Sequence, residues 1–193
     1  MRPIGILSAI AIAAAGLAPA NADEPASLQE AMAKLIHAAM APSDHGDWVY
    51  TWDGLSTRVS SLMHWHLAGP PDPGETTITR RGWISTTGRQ AGVTAYGEGG
   101  AVSALSIEAD VWYSFNVGPT SLLPALAAQN IKVVEVERRE AAEFANTDEP
   151  VIVYALSAPG RDTLRLTHSV QCTSPRSAAA QRCESHYTLA LGR

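Results

Sequence analysis

The sequence lacks the residue patterns that carry the commonest catalytic and metal chemistries. It has two cysteines in 193 residues, and they do not form a Cys-x-x-Cys pair, the usual spacing of redox-active thiols and zinc ligands. It also contains no Gly-x-Ser-x-Gly or Ser-x-x-Lys pattern, which mark common families of nucleophilic hydrolases. These absences argue against an enzyme of a familiar hydrolytic or redox type.

Positive charge is also scarce. The chain has 14 basic and 19 acidic residues, a formal net charge of −5 at pH 7. The pairs Arg80-Arg81 and Arg138-Arg139 are too small to form a basic stripe. Because nucleic acids and anionic lipids are bound through clustered Lys and Arg, we expect neither as a partner.

A single long hydrophobic run is present, at the N-terminus. It extends from Ile4 to Leu17 after Arg2 and leads to the small-x-small sequence Ala20–Ala22. This pattern predicts a cleaved signal peptide over 1–22. The apolar run is too short for a stable membrane span. We therefore expect one domain over 23–193, periplasmic or secreted, without an integral membrane segment after cleavage.

The two cysteines, Cys172 and Cys183, predict one disulfide in such an oxidising compartment. Closing this short loop stabilises a fold by about 3 kcal/mol, because the cross-link reduces the conformational entropy of the unfolded chain. Pairing the cysteines across a hairpin sets the register of two strands, 163–172 and 183–191. That register places apolar residues on one face, with these opposed pairs: Leu166 and Leu189, His168 and Tyr187, Val170 and Ser185.

The other local signals predict a mostly antiparallel sheet with two or three helices, an α+β fold. Ser27 and Glu30 have capping-box spacing and begin a helix over about 28–40, either packed on the domain or a loosely packed arm. A second helix is expected over about 121–129, with Asn130 as its left-handed C-terminal stop. Strands are expected in a meander and in C-terminal hairpins: 77–86, 90–96, 101–109, 111–117, 131–138 and 151–157. A turn is expected over Gly97–Gly100, between two strands of the meander.

A first hairpin is also expected, turning at Asp53-Gly54 between strands 48–52 and 57–67. Its alternation brings four polar side chains to one face: His45, Asp47, His64 and His66. Three imidazoles and a carboxylate are suitable ligands for Zn²⁺ or Cu²⁺. The alternative interpretation of this face is an ordinary solvated surface.

The opposite face of that hairpin carries aromatic side chains, including Trp52 and Trp65. They form either a core face or, if left uncovered, a binding platform. A third candidate is Arg176, in the stapled loop Thr173–Arg182, because small secreted proteins use such loops to plug an enzyme cleft. The alternative interpretation is an ordinary hairpin loop. Each of these is a candidate binding residue.

The sequence thus favours an exported, periplasmic binding or inhibitor-like protein of the cell envelope, without enzymatic activity or a cofactor. Its partner would be an envelope protein or a small ligand. The alternative is a periplasmic Zn- or Cu-binding protein, or a metal-dependent enzyme, using His45, His64 and His66 with Asp47. A purely structural role in the envelope also stays open.

Overall fold

A computed structural model describes residues 27–44, 50–65, 77–86, 89–111, 119–142, 145–173 and 183–191. The expected signal peptide, 1–22, lies outside these ranges. The described residues form three helices and eight strands. In chain order they are α1 (Leu28–Ala39), α2 (Trp52–Val59), β1 (His64–Trp65), β2 (Thr77–Thr86), β3 (Arg89–Glu98), β4 (Ala101–Val111), α3 (Pro119–Ala128), β5 (Lys132–Arg139), β6 (Val151–Ser157), β7 (Leu164–Cys172) and β8 (Cys183–Ala190).

All eight strands belong to one sheet in the order β1-β2-β3-β4-β8-β7-β6-β5, and every neighbouring pair is antiparallel. Two meanders, β2–β4 and β5–β8, are therefore joined through the pairing of β4 with β8. The predicted α+β fold with a mostly antiparallel sheet and one disulfide is confirmed.

Turn chemistry explains the first meander. Gly99 and Gly100 connect β3 to β4 with φ values of 59° and 85°, which glycine adopts without steric cost. At the adjacent Gly97 the strands approach so closely that a Cβ atom would collide with the carbonyl oxygen of Ala101. These glycines form a tight hairpin turn, as their sequence predicts.

The C-terminal hairpin has the predicted register. Leu166 faces Leu189, His168 faces Tyr187 and the disulfide joins Cys172 to Cys183 at the end of the ladder. The alternation of buried residues along both strands explains why: any one-residue slip would expose the apolar side chains.

Helix α1 is the most deeply buried of the three helices. The Ser27 side chain accepts a hydrogen bond from the Glu30 backbone N–H at 3.1 Å, so the predicted N-cap is present. The helix packs on the domain through these buried residues: Leu28, Ala31, Met32, Ala33, Leu35, Ile36 and Ala39.

The core lies between the helices and one face of the sheet, which we call the inner face. Buried residues of all three helices form one cluster with alternate strand residues. The inner-face members of this cluster are Ile84, Ala91, Val93, Ala95, Leu105, Ile107, Ala109, Tyr187, Leu189, Leu166, Leu164 and Leu156. The other side chains of the same strands form the outer face.

The predicted first hairpin is wrong. Residues 52–59 form helix α2, capped by the Thr51 hydroxyl, which accepts a hydrogen bond from the Gly54 N–H at 3.2 Å. Trp52, Leu55 and Val59 have helical spacing and are buried. The Arg58 guanidinium then fastens α2 to α1 by donating to the carbonyls of Ala38 and Ala39.

Helix α3 begins earlier than predicted, at Pro119, so Pro124 lies one turn inside it. Pro124 has no N–H to donate to the carbonyl four residues before it, and this interrupts the ladder of hydrogen bonds. The end of the helix agrees with the sequence, because Asn130 adopts a left-handed φ of 57°. Strand β4 extends to Val111, and the rest of the predicted strand 111–117 lies outside the described residues.

Candidate binding surface

The outer face carries one continuous row of chemically distinctive residues. The strand registers place His64 opposite Trp83, Trp83 opposite Gly92, Gly92 opposite Glu108, and Glu108 opposite His186. This row crosses five neighbouring strands of the sheet, from β1 to β8. We call it the central row, and its members come from positions up to 122 residues apart in sequence.

Two aromatic rings form one end of the central row. The His64 and Trp83 rings have centroids 5.5 Å apart and planes tilted by 33°. His64 is exposed and Trp83 is partly buried. The indole therefore has the His64 ring beside it, on the side of β2 away from Gly92.

An imidazole between two carboxylates forms the other end. His186 Nδ1 lies 3.9 Å from Glu108 Oε1, and its Nε2 lies 3.9 Å from Glu184 Oε2. Both distances exceed hydrogen-bond length. The side chains of Glu108 and Glu184 are 45% and 52% exposed. Each carboxylate consequently keeps acceptor capacity that a ligand is able to use.

Small side chains lie on one side of the central row. They form a neighbouring row of hydroxyl residues on four adjacent strands: Thr94, Ser106, Thr188 and Thr167. Beyond it, Ala104 and Ala190 are paired, and Tyr96 is 41% exposed opposite Ala104. Thr94 and Ser106 are buried, so Tyr96 is the large side chain that this part of the outer face presents for contact.

The arrangement most like a catalytic one is Ser169 opposite His186, with Glu108 on the other side of the imidazole. Within the described ranges no hydrogen bond joins Ser169 to His186. The Glu108 side chain is 45% exposed, so water reaches the carboxylate beside the imidazole. The geometry therefore fits binding better than nucleophilic hydrolysis.

The predicted metal ligands are only partly described. His64 lies on β1, whereas His45, Asp47 and His66 lie outside the described residues. The hairpin that was expected to align them is absent, since 52–59 is helical. No group of three or more His, Cys, Asp or Glu side chains suited to a metal ion occurs in the described part of the chain.

The predicted binding residues are placed as follows. Trp52 is a core residue, 5% exposed, with the Arg80 guanidinium 5.9 Å from its ring centroid. It offers no open platform in this conformation. Trp65 is the β1 residue opposite Gly82. Arg176 and most of its loop lie outside the described residues.

A buried histidine lies on the inner face, at the disulfide end of β7. His168 is 5% exposed, stacks on Tyr187 with a centroid separation of 4.8 Å, and has Ser185 Oγ 3.4 Å from its Nε2. Burial, aided by the charge of His186, lowers the pKa of His168 to about 4. His168 and His186 lie on opposite faces, as alternation predicts.

A groove of about 740 Å³ lies beside the β5–β6 connection, lined in part by Arg138, Arg139 and Asn146. Its two arginines already bind carboxylates of their own strand. Arg138 makes a bidentate pair with Glu135, and Arg139 makes one with Glu137. The positive charges of these two arginines are therefore already paired within β5.

Sequence reasoning missed Trp83, Gly92 and Glu108. A glycine in the middle of a predicted strand was the available signal, since such a glycine often marks a close approach by another group. Their association depends on the register of several strands, which is not a local property of the sequence.

Comparison with protein-family models, with curated proteins and with solved structures finds no match to this chain. Among the described helices, none has the length and apolar character needed to cross a membrane.

Proposed function

We propose that the chain is an exported binding protein of the cell envelope that makes contacts through the outer face of its sheet and catalyses no reaction. The observation that carries the proposal is the asymmetry of the sheet. The described helices cover the inner face, and the outer face holds the central row of rings, carboxylates and an imidazole.

Two features support the location. The disulfide between Cys172 and Cys183 is typical of proteins from oxidising compartments. The pattern of residues 1–22 matches an export signal. Together these two features support a periplasmic or secreted location.

Site-specific photo-crosslinking in the producing cells tests the binding role. A benzophenone amino acid at Tyr96 or Arg165, both exposed on the outer face, is expected to give a discrete adduct with a partner. The matched control is the same amino acid at Thr57, exposed on helix α2, which packs on the inner face of the sheet. Absence of adducts at both outer positions, or equal adducts at all three, would contradict the proposal.

Intact mass of the protein recovered from the envelope fraction tests the export. We expect a chain that begins at Asp23 and weighs two hydrogens less than its reduced form. A retained N-terminal segment, or free thiols at Cys172 and Cys183, would contradict this part of the proposal.

A further inference from the structure

We propose that the outer face binds an organic cation, a guanidinium or alkylammonium group, in the gap above Gly92. We call this gap the Gly92 notch. Trp83 forms one wall and Glu108 forms the other, with His186 and Glu184 behind Glu108. The inference rests on the proposed function, because it names the ligand class of the outer face.

The first step is that nothing in the fold requires a glycine at position 92. The residue does not have the positive φ found at Gly99, Gly100 and Gly160. A Cβ atom added there would meet its nearest neighbours at 3.9 to 4.0 Å, which is ordinary van der Waals contact. Glycine within a strand costs about 0.5–1 kcal/mol relative to alanine. Gly92 therefore weakens β3 without a conformational or packing benefit.

The second step is that the space above Gly92 is open to solvent, since Gly92 is exposed. An aromatic residue opposite a glycine sometimes covers it and compensates for the missing side chain. Here the three atoms nearest to an added Cβ all belong to Glu108: its Cβ, its carbonyl oxygen and Oε2. The partly buried Trp83 has the His64 ring beside it, with the ring centroids 5.5 Å apart.

The third step is the size of the notch. Trp83 and Glu108 lie on the strands at either side of β3, and their Cα atoms are therefore separated by about 9–10 Å, two strand spacings. The floor is a single residue wide. These dimensions suit one planar guanidinium or one ammonium group better than a sugar ring or a larger ligand.

The fourth step is the charge of the walls. Glu108 leans over Gly92 with Oε2 4.0 Å from the position of an added Cβ, and Glu184 contributes a second exposed carboxylate. Arg81, two residues before Trp83 on the same face, adds one positive charge. The carboxylates outnumber it, and the chain as a whole is acidic.

An aromatic wall facing a carboxylate is the arrangement that selects an organic cation. The ring face attracts positive charge, and a carboxylate accepts charge-assisted hydrogen bonds from guanidinium or ammonium N–H groups. An anion would be repelled by the same carboxylates. The notch is also distinct from a metal centre, because an indole does not ligate a metal ion.

The test is an NMR titration of the intact disulfide-bonded protein with Nα-acetyl-L-arginine methyl ester, following the backbone amides of Gly92 and Glu108. The control ligand is Nα-acetyl-L-citrulline methyl ester, which has nearly the same shape and no positive charge, because a urea group replaces the guanidinium and the α-nitrogen is acetylated. We expect saturable shifts with the arginine ester and at least tenfold weaker binding of the citrulline ester. Equal affinities, or no saturable shift with either, would overturn the proposal.

Variants locate the binding. Gly92→Val should weaken arginine ester binding at least tenfold while leaving the protein equally stable or more stable, since it fills the notch and favours a strand. Glu108→Gln should weaken binding at least tenfold, whereas Glu98→Gln, which alters an exposed carboxylate at the end of β3, the strand of Gly92, should not. Unchanged binding in Gly92→Val would show that the cation binds elsewhere, and a large loss of stability there would show that the glycine is structural. Either result would overturn the proposal.

Two further ligands distinguish the source of the cation. Butylguanidine represents a free small molecule, and acetyl-Gly-Arg-Gly-amide, which has the same single positive charge, represents a side chain of a protein partner. Tighter binding of the peptide supports a protein partner, and tighter binding of butylguanidine supports a small ligand. Outer-face crosslinks without any cation binding would reject this inference and leave the proposed function standing.

Discussion

The two faces of this sheet differ in the size and polarity of their side chains. Inner-face positions carry large aliphatic and aromatic side chains, such as Leu105, Ile107 and Tyr187, all fully buried. Outer-face positions on the same strands carry small or charged residues, such as Ser106, Glu108 and Thr188. The alternation of strand side chains separates the residues that stabilise the fold from those available for contact.

The difference has an energetic consequence. Burial of a large apolar side chain contributes about 1.5–3 kcal/mol, whereas most exposed positions contribute less than about 0.5 kcal/mol. The outer face is therefore free to vary in chemistry without loss of the fold. A glycine at position 92, unfavourable for a strand, is tolerated for the same reason.

The largest expected effect comes from breaking the inner face. Leu105→Ala should lower the free energy of unfolding by about 4 kcal/mol, because it leaves a cavity in the middle of the core. Glu108→Gln, three residues further along β4, should change it by less than about 0.5 kcal/mol. Urea denaturation with the disulfide intact measures both. Similar losses in the two variants would refute the division between faces.

The second largest loss of stability is expected from removing the disulfide. Replacing Cys172 and Cys183 together with alanine should lower the free energy of unfolding by about 3 kcal/mol, because the unfolded chain regains the freedom of a closed loop. The outer-face amide resonances of Gly92 and Glu108 should keep their positions in the folded variant. If the double variant is as stable as the parent, the disulfide is not a stabilising element.

A smaller effect is expected from acid on the inner face. Unfolding frees His168 to take up a proton at its ordinary pKa near 6.5, whereas the folded imidazole protonates only at about 4. The unfolded state therefore binds more protons between these values, and stability falls as the pH falls. The loss is about 2 kcal/mol from pH 7 to pH 5.

His168→Gln removes this titration and keeps a side chain able to reach Ser185. Its free energy of unfolding, measured at pH 7 and pH 5, should change less between the two than that of the parent. An unaltered pH dependence in this variant would show that other groups cause the acid sensitivity.

The smallest effect is expected from metal ions. Adding zinc or copper to the metal-free protein should leave its native mass and its thermal midpoint unchanged, because the hairpin expected to align His45, Asp47, His64 and His66 is absent. A stoichiometric metal adduct that is lost in His64→Ala would instead support the metal-binding alternative.

Features that depend on residues close in sequence were predicted correctly, whereas features that depend on distant residues were not. The β7–β8 register, the Ser27 cap and the Gly99-Gly100 turn all depend on residues close in sequence or on simple alternation, and each is confirmed. The segment 52–59 was assigned wrongly because it lies where two patterns compete. Trp52, Leu55 and Val59 favour a helix, whereas the residues after Val59 alternate like a strand.

The candidate site shows the same limit more strongly. Of the residues singled out from the sequence, His64 lies in the central row, but beside Trp83 rather than in a cluster of histidines. Trp83, Gly92 and Glu108 converge only when β2, β3 and β4 pair in their particular registers. No local pattern encodes that convergence.

The sequence by itself determined the α+β class, the first helix with its cap, and the stapled hairpin with its exact pairing, because turn conformation, capping and strand alternation act within a few residues. Only the tertiary structure decided that residues 52–59 form a helix rather than a strand. The Arg58 guanidinium holds this helix, α2, against the carbonyl end of α1. The tertiary structure also decided the central row, since side chains far apart in sequence become neighbours only after the sheet has formed.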